Sequence, residues 1–167
     1  MLGGVVFANP LKTLQLVRTC KTKPAQKLPR MDLQLGEFVR SAAADVHAQL
    51  GGGLSECVYQ AALALALRQR GCGVETEMVV PVSYNCQYIG FVRPDIVVNK
   101  QLVIEVKAVQ KITESHFSQT RAYLRWLPLP PPSYERIIDS TQRGAVVNFG
   151  YEQVEVCPVS VPDRIGN

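Results

Sequence analysis

The segment that most limits how this chain can fold is RPDIVVNKQLVIEVKA, residues 93–108. Aliphatic, largely β-branched runs flank Asn99 and Lys100, a pair that turns a strand back on itself, so the stretch reads as a hairpin of two buried strands. With the turn centred on Asn99 to Gln101, Val98 faces Leu102, and counting back along both arms places Asp95 opposite Glu105. Side chains two apart on a strand leave the same face, so Glu105 and Lys107 project one way and Ile104 and Val106 the other.

Two neighbouring carboxylates with a lysine beside them repel and lose hydration unless a positive charge sits between the acids, and a divalent cation meets that requirement. Oxygen donors of this kind suit Mg²⁺ or Mn²⁺, which keep several waters and take further charge compensation from substrate phosphates. The chemistry expected of the cluster is phosphodiester hydrolysis, with Lys107 orienting the attacking water or helping to deprotonate it. The spacing D-x9-E-x-K is short and degenerate by itself, and a solvated strand face carrying the same three residues is the alternative.

The surroundings add to it. In GLSECVY, Gly53, Glu56 and Tyr59 recur at steps of three, which puts Glu56 and Tyr59 on one face of a helix. The order G-x-x-E-x-x-Y, then D…E-x-K, resembles the GxxExxY proteins of the PD-(D/E)XK nuclease superfamily. The resemblance runs from about residue 35 to 150 through VHAQLGGGLSECVYQAAL, GFVRPDIVV, VIEVKAV, HFSQTRAYL and GAVVNFG. It implies a restriction-endonuclease-like α/β core, a mixed β-sheet flanked by helices. It implies that Asp95, Glu105 and Lys107 form the catalytic set, that Asp95 and Glu105 ligate Mg²⁺ or Mn²⁺ with Glu56 completing the acidic cluster, and that the substrate is a nucleic acid, DNA foremost. Gln119 and Tyr123 match the family's Q-x-x-x-Y, and His116 its histidine just before that glutamine. With Tyr59 and Arg93 they make up the substrate-binding or supporting set. For His116, helix capping stands beside substrate contact. For Tyr59 and Tyr123 a core position with a bonded hydroxyl is favoured.

Along the chain, apolar spacing predicts a helix from about Asp32 to Leu50, ended by Gly51, Gly52 and Gly53, and a second capped by Ser55 and ended near Gly71. Residues 74–84, 88–98 and 101–108 read as a three-stranded antiparallel meander turned at NCQ and NK. Thr113 is expected to cap a third helix, ESHFSQTRAYLRWL, cut off by prolines. GAVVNFG and QVEVCPV follow as strands. The expected architecture is an α/β sandwich with a mixed sheet. The domain expected over residues 32–157 carries a proline-rich surface insertion at 128–143, where the family's connection is short, and is followed by a tail at 158–167.

Composition bears on partners and compartment. Residues 1–31 hold six of the eighteen basic residues and no acidic one, which leaves twelve against fourteen over 32–167, a net charge of −2. The domain therefore lacks a generally basic surface. The 1–31 extension reads as a disordered basic arm, as sequence upstream of a functional start at Met31, or as a mitochondrial import signal. No apolar run reaches the roughly 20 residues of a membrane span, and a soluble intracellular protein, cytoplasmic or nuclear, is expected. The five cysteines show no C-x-x-C spacing and read as small buried hydrophobes. Beside the nuclease stands a second hypothesis: a noncatalytic interaction module on the same scaffold, with LPLPPPSYER as a protein-binding loop. Oligomeric state has no signature.

Overall fold

The computed structural model describes residues 34–127 and 142–160. The first amphipathic run forms α1 (Gln34–Leu50), which buries Val39, Ala42, Ala43 and Val46 along one stripe. Ser55 stands at the N-cap of α2 (Glu56–Gln69), although its hydroxyl meets Cys57 Sγ at 3.2 Å rather than a backbone N–H. Five strands, β1 (Val74–Thr76), β4 (Ile96–Val98), β5 (Leu102–Lys107), β6 (Gln142–Phe149) and β7 (Val154–Ser160), make one sheet in the order β1-β4-β5-β6-β7. A separate pair, β2 (Val80–Tyr84) and β3 (Gln87–Val92), stands apart as a hairpin.

The expected meander is therefore corrected. Each of its first two long strands is broken in two. Glu77 turns to φ 53° after β1, a left-handed conformation that cannot continue a ladder, and Pro94, which has no N–H to donate, interrupts the chain between β3 and β4. The hairpin arms at 96–98 and 102–104 keep the expected register, Ile96 against Ile104, Val97 against Val103 and Val98 against Leu102. Asn99 and Lys100 turn between them at φ 51° and 56°.

β5 and β6 run parallel, which needs a crossover, and α3 (Glu114–Trp126) lies on that crossover. All other pairs are antiparallel, so the sheet is mixed. The period-two alternation splits the core into two layers. Ile96, Val98, Ile104, Val106, Val147 and Phe149 pack with α1 and α2, whereas Val97, Val103 and Val146 pack with Tyr123 and Leu124 of α3. This is a restriction-endonuclease-like α/β core.

β6 already begins at Gln142, within the expected insertion, whose residues 128–141 lie outside the described ones, as does the 1–31 extension. β7 runs to Ser160, past the expected domain end at 157. Among the described cysteines only Cys72 is buried, while Cys57 and Cys86 are exposed and Cys157 is half-buried, so the reading of them all as core residues holds for Cys72 alone. Among the described residues no helix is long and apolar enough to cross a membrane.

Candidate active site

Alternation puts Glu105 and Lys107 on the α3 face of β5, the face shared by Val103. Asp95 sits one residue before β4, in line with Glu105. One Asp95 oxygen, Oδ2, accepts a 2.7 Å hydrogen bond from the Val106 amide, which locks the carboxylate against the neighbouring strand. Glu105 is almost wholly buried, at 1% exposure, among the aliphatic side chains of β5. Lys107 Nζ donates to Glu105 Oε1 at 2.6 Å and reaches Glu56 Oε1 at 3.4 Å. Glu105 Oε2 is buried with no hydrogen-bond partner.

A buried carboxylate oxygen left without a partner is costly, and the electrostatics record it. Burial pushes the Glu105 carboxyl up from 4.5 to about 7, with the charges of Asp95 and Glu56 adding to the rise and the Lys107 hydrogen bond opposing it. Burial raises Asp95 as well, against the Val106 amide and the Lys107 charge. For Lys107 burial works against the ammonium, but the Glu105 hydrogen bond and the charges of Glu105, Glu56 and Asp95 together outweigh it and hold the group above the ordinary lysine value. The cluster has more negative than positive charge, and Lys107 keeps its proton.

Glu56 reaches the cluster because of a turn built from three glycines. Gly51 and Gly53 adopt φ 72° and 92°, and a Cβ on Gly52 would lie 2.2 Å from the Tyr151 carbonyl oxygen. Tyr59 fastens the turn. Its hydroxyl donates to the Gly51 carbonyl at 2.6 Å and accepts from the Leu54 amide at 3.1 Å, and its buried ring stacks on Phe149 at 4.5 Å. Tyr59 thus holds the first turn of α2 in place, a core position with a bonded hydroxyl, as favoured from the sequence. His47 Nε2 makes a 3.0 Å hydrogen bond to the Gly150 carbonyl beside the same turn.

From the other layer, Gln119 Nε2 donates to the Tyr123 hydroxyl at 2.7 Å, one helical turn apart as expected. Burial raises the Tyr123 phenol, the Gln119 hydrogen bond opposes it, and the Glu105 and Asp95 charges add to the rise, so the ring lies within the field of the cluster. His116 caps α3, its Nδ1 accepting from the Thr113 amide at 3.2 Å. Arg93 lies outside the cluster: it pairs with Glu77 at 3.5 Å and rests over the Phe91 ring.

Two supporting residues escaped the sequence. Gln60 Nε2 donates to the Asp95 carbonyl at 3.0 Å and to Glu77 Oε1 at 2.8 Å, and nothing in its place beside Tyr59 announces this. Asn148, 1% exposed, returns both hydrogen bonds of Val109 at 3.0 Å and so anchors the chain just after Lys107. One amide in the otherwise apolar GAVVNFG was the signal for it.

The donor set fits a hard divalent cation. Glu105 Oε2 is the buried atom that lacks a partner, and Asp95 stands opposite with only Oδ2 tied to the Val106 amide. Among the described residues no three of His, Cys, Asp and Glu converge into a ready cage, since Lys107 lies between Glu56 and Glu105. An ion held by one or two carboxylates, with water and substrate oxygens completing its shell, is the arrangement Mg²⁺ prefers. Residues 33–157 match the family model of the PD-(D/E)XK nuclease superfamily. Neither a curated protein nor a solved structure matches significantly.

Proposed function

Since the chain belongs to the PD-(D/E)XK nuclease superfamily, we propose that it is a metal-dependent nuclease that hydrolyses phosphodiester bonds of DNA. The observation that carries this reading is Glu105 Oε2, buried and unpartnered beside Asp95 and Lys107. An apolar strand gains nothing from such a group unless a cation completes it. Within the superfamily we assign the chain to the GxxExxY proteins, on Gly53, Glu56 and Tyr59 followed by Asp95, Glu105 and Lys107. The catalytic unit in this reading spans residues 32–157, with 1–31 as an extension and 128–143 as an insertion.

In this reading Asp95 and Glu105 hold Mg²⁺ or Mn²⁺, and Glu56 adds negative charge at the rim. The ion supplies Lewis acidity toward the phosphate and an acidified water. Hydrolysis adds water across a P–O bond: hydroxide joins phosphorus, the ester oxygen leaves, and the remaining proton ends on that oxygen. Lys107, whose ammonium donates to Glu105 and reaches Glu56, orients the water and offsets charge on the phosphoryl oxygens. The Val106 amide keeps Asp95 from rotating, and Gln60 and Asn148 hold the chain segments on which Asp95 and Lys107 sit. Gln119 and Tyr123 line the substrate side of the cluster.

The test incubates the full chain with labelled single- and double-stranded DNA in Mg²⁺ or Mn²⁺, beside Asp95→Ala, Lys107→Ala and a chelator control. Cleavage that requires metal and disappears in both variants is the expected result. No cleavage, together with no metal binding that depends on Asp95 and Glu105, would sink the reading in favour of a noncatalytic module.

A further inference from the structure

The β2–β3 hairpin buries little of what it carries. Tyr84, Tyr88, Ile89 and Phe91 are 68%, 65%, 63% and 53% exposed, an apolar surface outside the core of the domain. Its register explains the arrangement. Pro81 pairs with Phe91 and Val82 with Gly90, but Ser83 pairs with Tyr88, so Ile89 is an extra residue in β3. Paired residues share a face. The bulge therefore brings Tyr88 onto the face of Phe91, whereas three positions of regular strand would have put them on opposite sides. Val80 and Val92 define the other face where it meets the core, and Tyr84, paired with Gln87, belongs to that second face.

The outer file continues into a cation. The Arg93 guanidinium lies 5.9 Å from the Phe91 ring centre, half-exposed and paired with Glu77. Between Glu77 and Asp95 it is the only charged side chain, in a domain whose net charge is negative. Two exposed rings in a row, ending at a guanidinium that is half-exposed and shared with Glu77, match the flat faces of unpaired bases beside a phosphate. The file also leads to the cluster. Phe91 is four residues from Asp95, at most about 14 Å of extended chain. The Glu77 amide donates to the Asp95 carbonyl at 3.2 Å, and Gln60 bridges the same two residues. The base of the hairpin is thus clamped to the segment that bears Asp95.

We propose that Tyr88, Phe91 and Arg93 form a stacking platform for unpaired bases of single-stranded DNA whose backbone leads to Asp95 and Glu105. This rests on the nuclease reading above and names its substrate class: a single strand or a frayed end, since bases paired inside a duplex cannot offer their faces to the rings. Stacking on the ring faces is tolerant of base identity, because every base presents a π-face.

The test measures binding of the full chain to a labelled single-stranded oligodeoxynucleotide, by anisotropy with metal chelated, and stacking by the fluorescence of 2-aminopurine placed within the strand. Tyr88→Leu and Phe91→Leu keep apolar bulk and remove the rings. Each is expected to weaken strand binding about tenfold and to diminish the 2-aminopurine signal. Tyr84→Leu, on the opposite face, is expected to do neither. Unchanged affinity in the first two variants overturns the platform, as does an equal loss in Tyr84→Leu. Tighter binding of the matching oligoribonucleotide overturns the assignment to DNA. A shift from dimer to monomer in sedimentation, with strand binding intact, makes the face a contact between copies and overturns the proposal too. Metal-dependent cleavage with normal strand affinity in both ring variants defeats the platform and leaves the nuclease standing. Ring-dependent binding without metal-dependent cleavage does the reverse.

Discussion

Glu105→Gln should stabilise the metal-free protein at alkaline pH and do so progressively less as the pH falls. The native carboxyl titrates at about 7 against 4.5 for an unperturbed glutamate. A carboxyl whose native pKa is raised is stabilising when protonated, so its contribution is fully present below 4.5 and is lost as the pH rises through 7. Relative to a permanently neutral isostere, the ionised side chain costs about 3 kcal/mol at pH ~8 and under about 1 kcal/mol at pH ~5. Solvent does not screen this difference, because the residue is 1% exposed. Urea denaturation in chelator between those pH values should show the wild type losing about 2 kcal/mol or more relative to Glu105→Gln. Parallel pH curves, or a wild type that gains stability relative to the variant as pH rises, would refute the reasoning. Mn²⁺ should recover the wild type, by about 3 kcal/mol at a hundredfold excess over its Kd, and leave the variant nearly unmoved. Recovery of both alike would place the ion elsewhere.

Lys107→Met leaves Glu105 without its 2.6 Å partner and should lower stability at pH ~8 by about 3 kcal/mol, as removal of one member of a buried pair does; a loss below about 1 kcal/mol in the same denaturation assay would count against the burial argument. Gly52→Ala meets the Tyr151 carbonyl at 2.2 Å, backbone that cannot step aside cheaply, so about 1–3 kcal/mol should be lost, checked by calorimetry. Asn148→Leu strands the amide and carbonyl of Val109 and should cost about 2–4 kcal/mol, with faster hydrogen exchange at Val109 as the local signature. Unaltered exchange there would mean that water replaces the side chain.

The hairpin at 93–108 was legible because its determinants are local. The Asn99-Lys100 turn sets the register, and a register with period two dictates that Asp95 meets Glu105 and that Lys107 shares Glu105's face. Helix limits were legible to within a residue or two for the same reason, since glycines, caps and prolines act on their neighbours. The two long strands were not. Their breaks at Glu77 and Pro94 depend on which sheet each half joins, and β1 leaves the hairpin to pair with β4, an outcome decided by packing against α2 rather than by propensity.

What the amino-acid order determined alone is thus a set of local geometries: three helices, a tight turn, and an acid-acid-lysine constellation on paired strands. Only the tertiary structure decided what that constellation costs. It brought Glu56 to Lys107 across 51 positions through the Gly51–Gly53 turn that Tyr59 fastens, and it buried Glu105 beneath α3 until one oxygen lost every partner. It also pushed one extra residue into β3, which put Tyr88 beside Phe91. Turns and alternation are fixed by steric limits on a few consecutive dihedrals, whereas desolvation and long-range pairing exist only once distant segments have excluded water together.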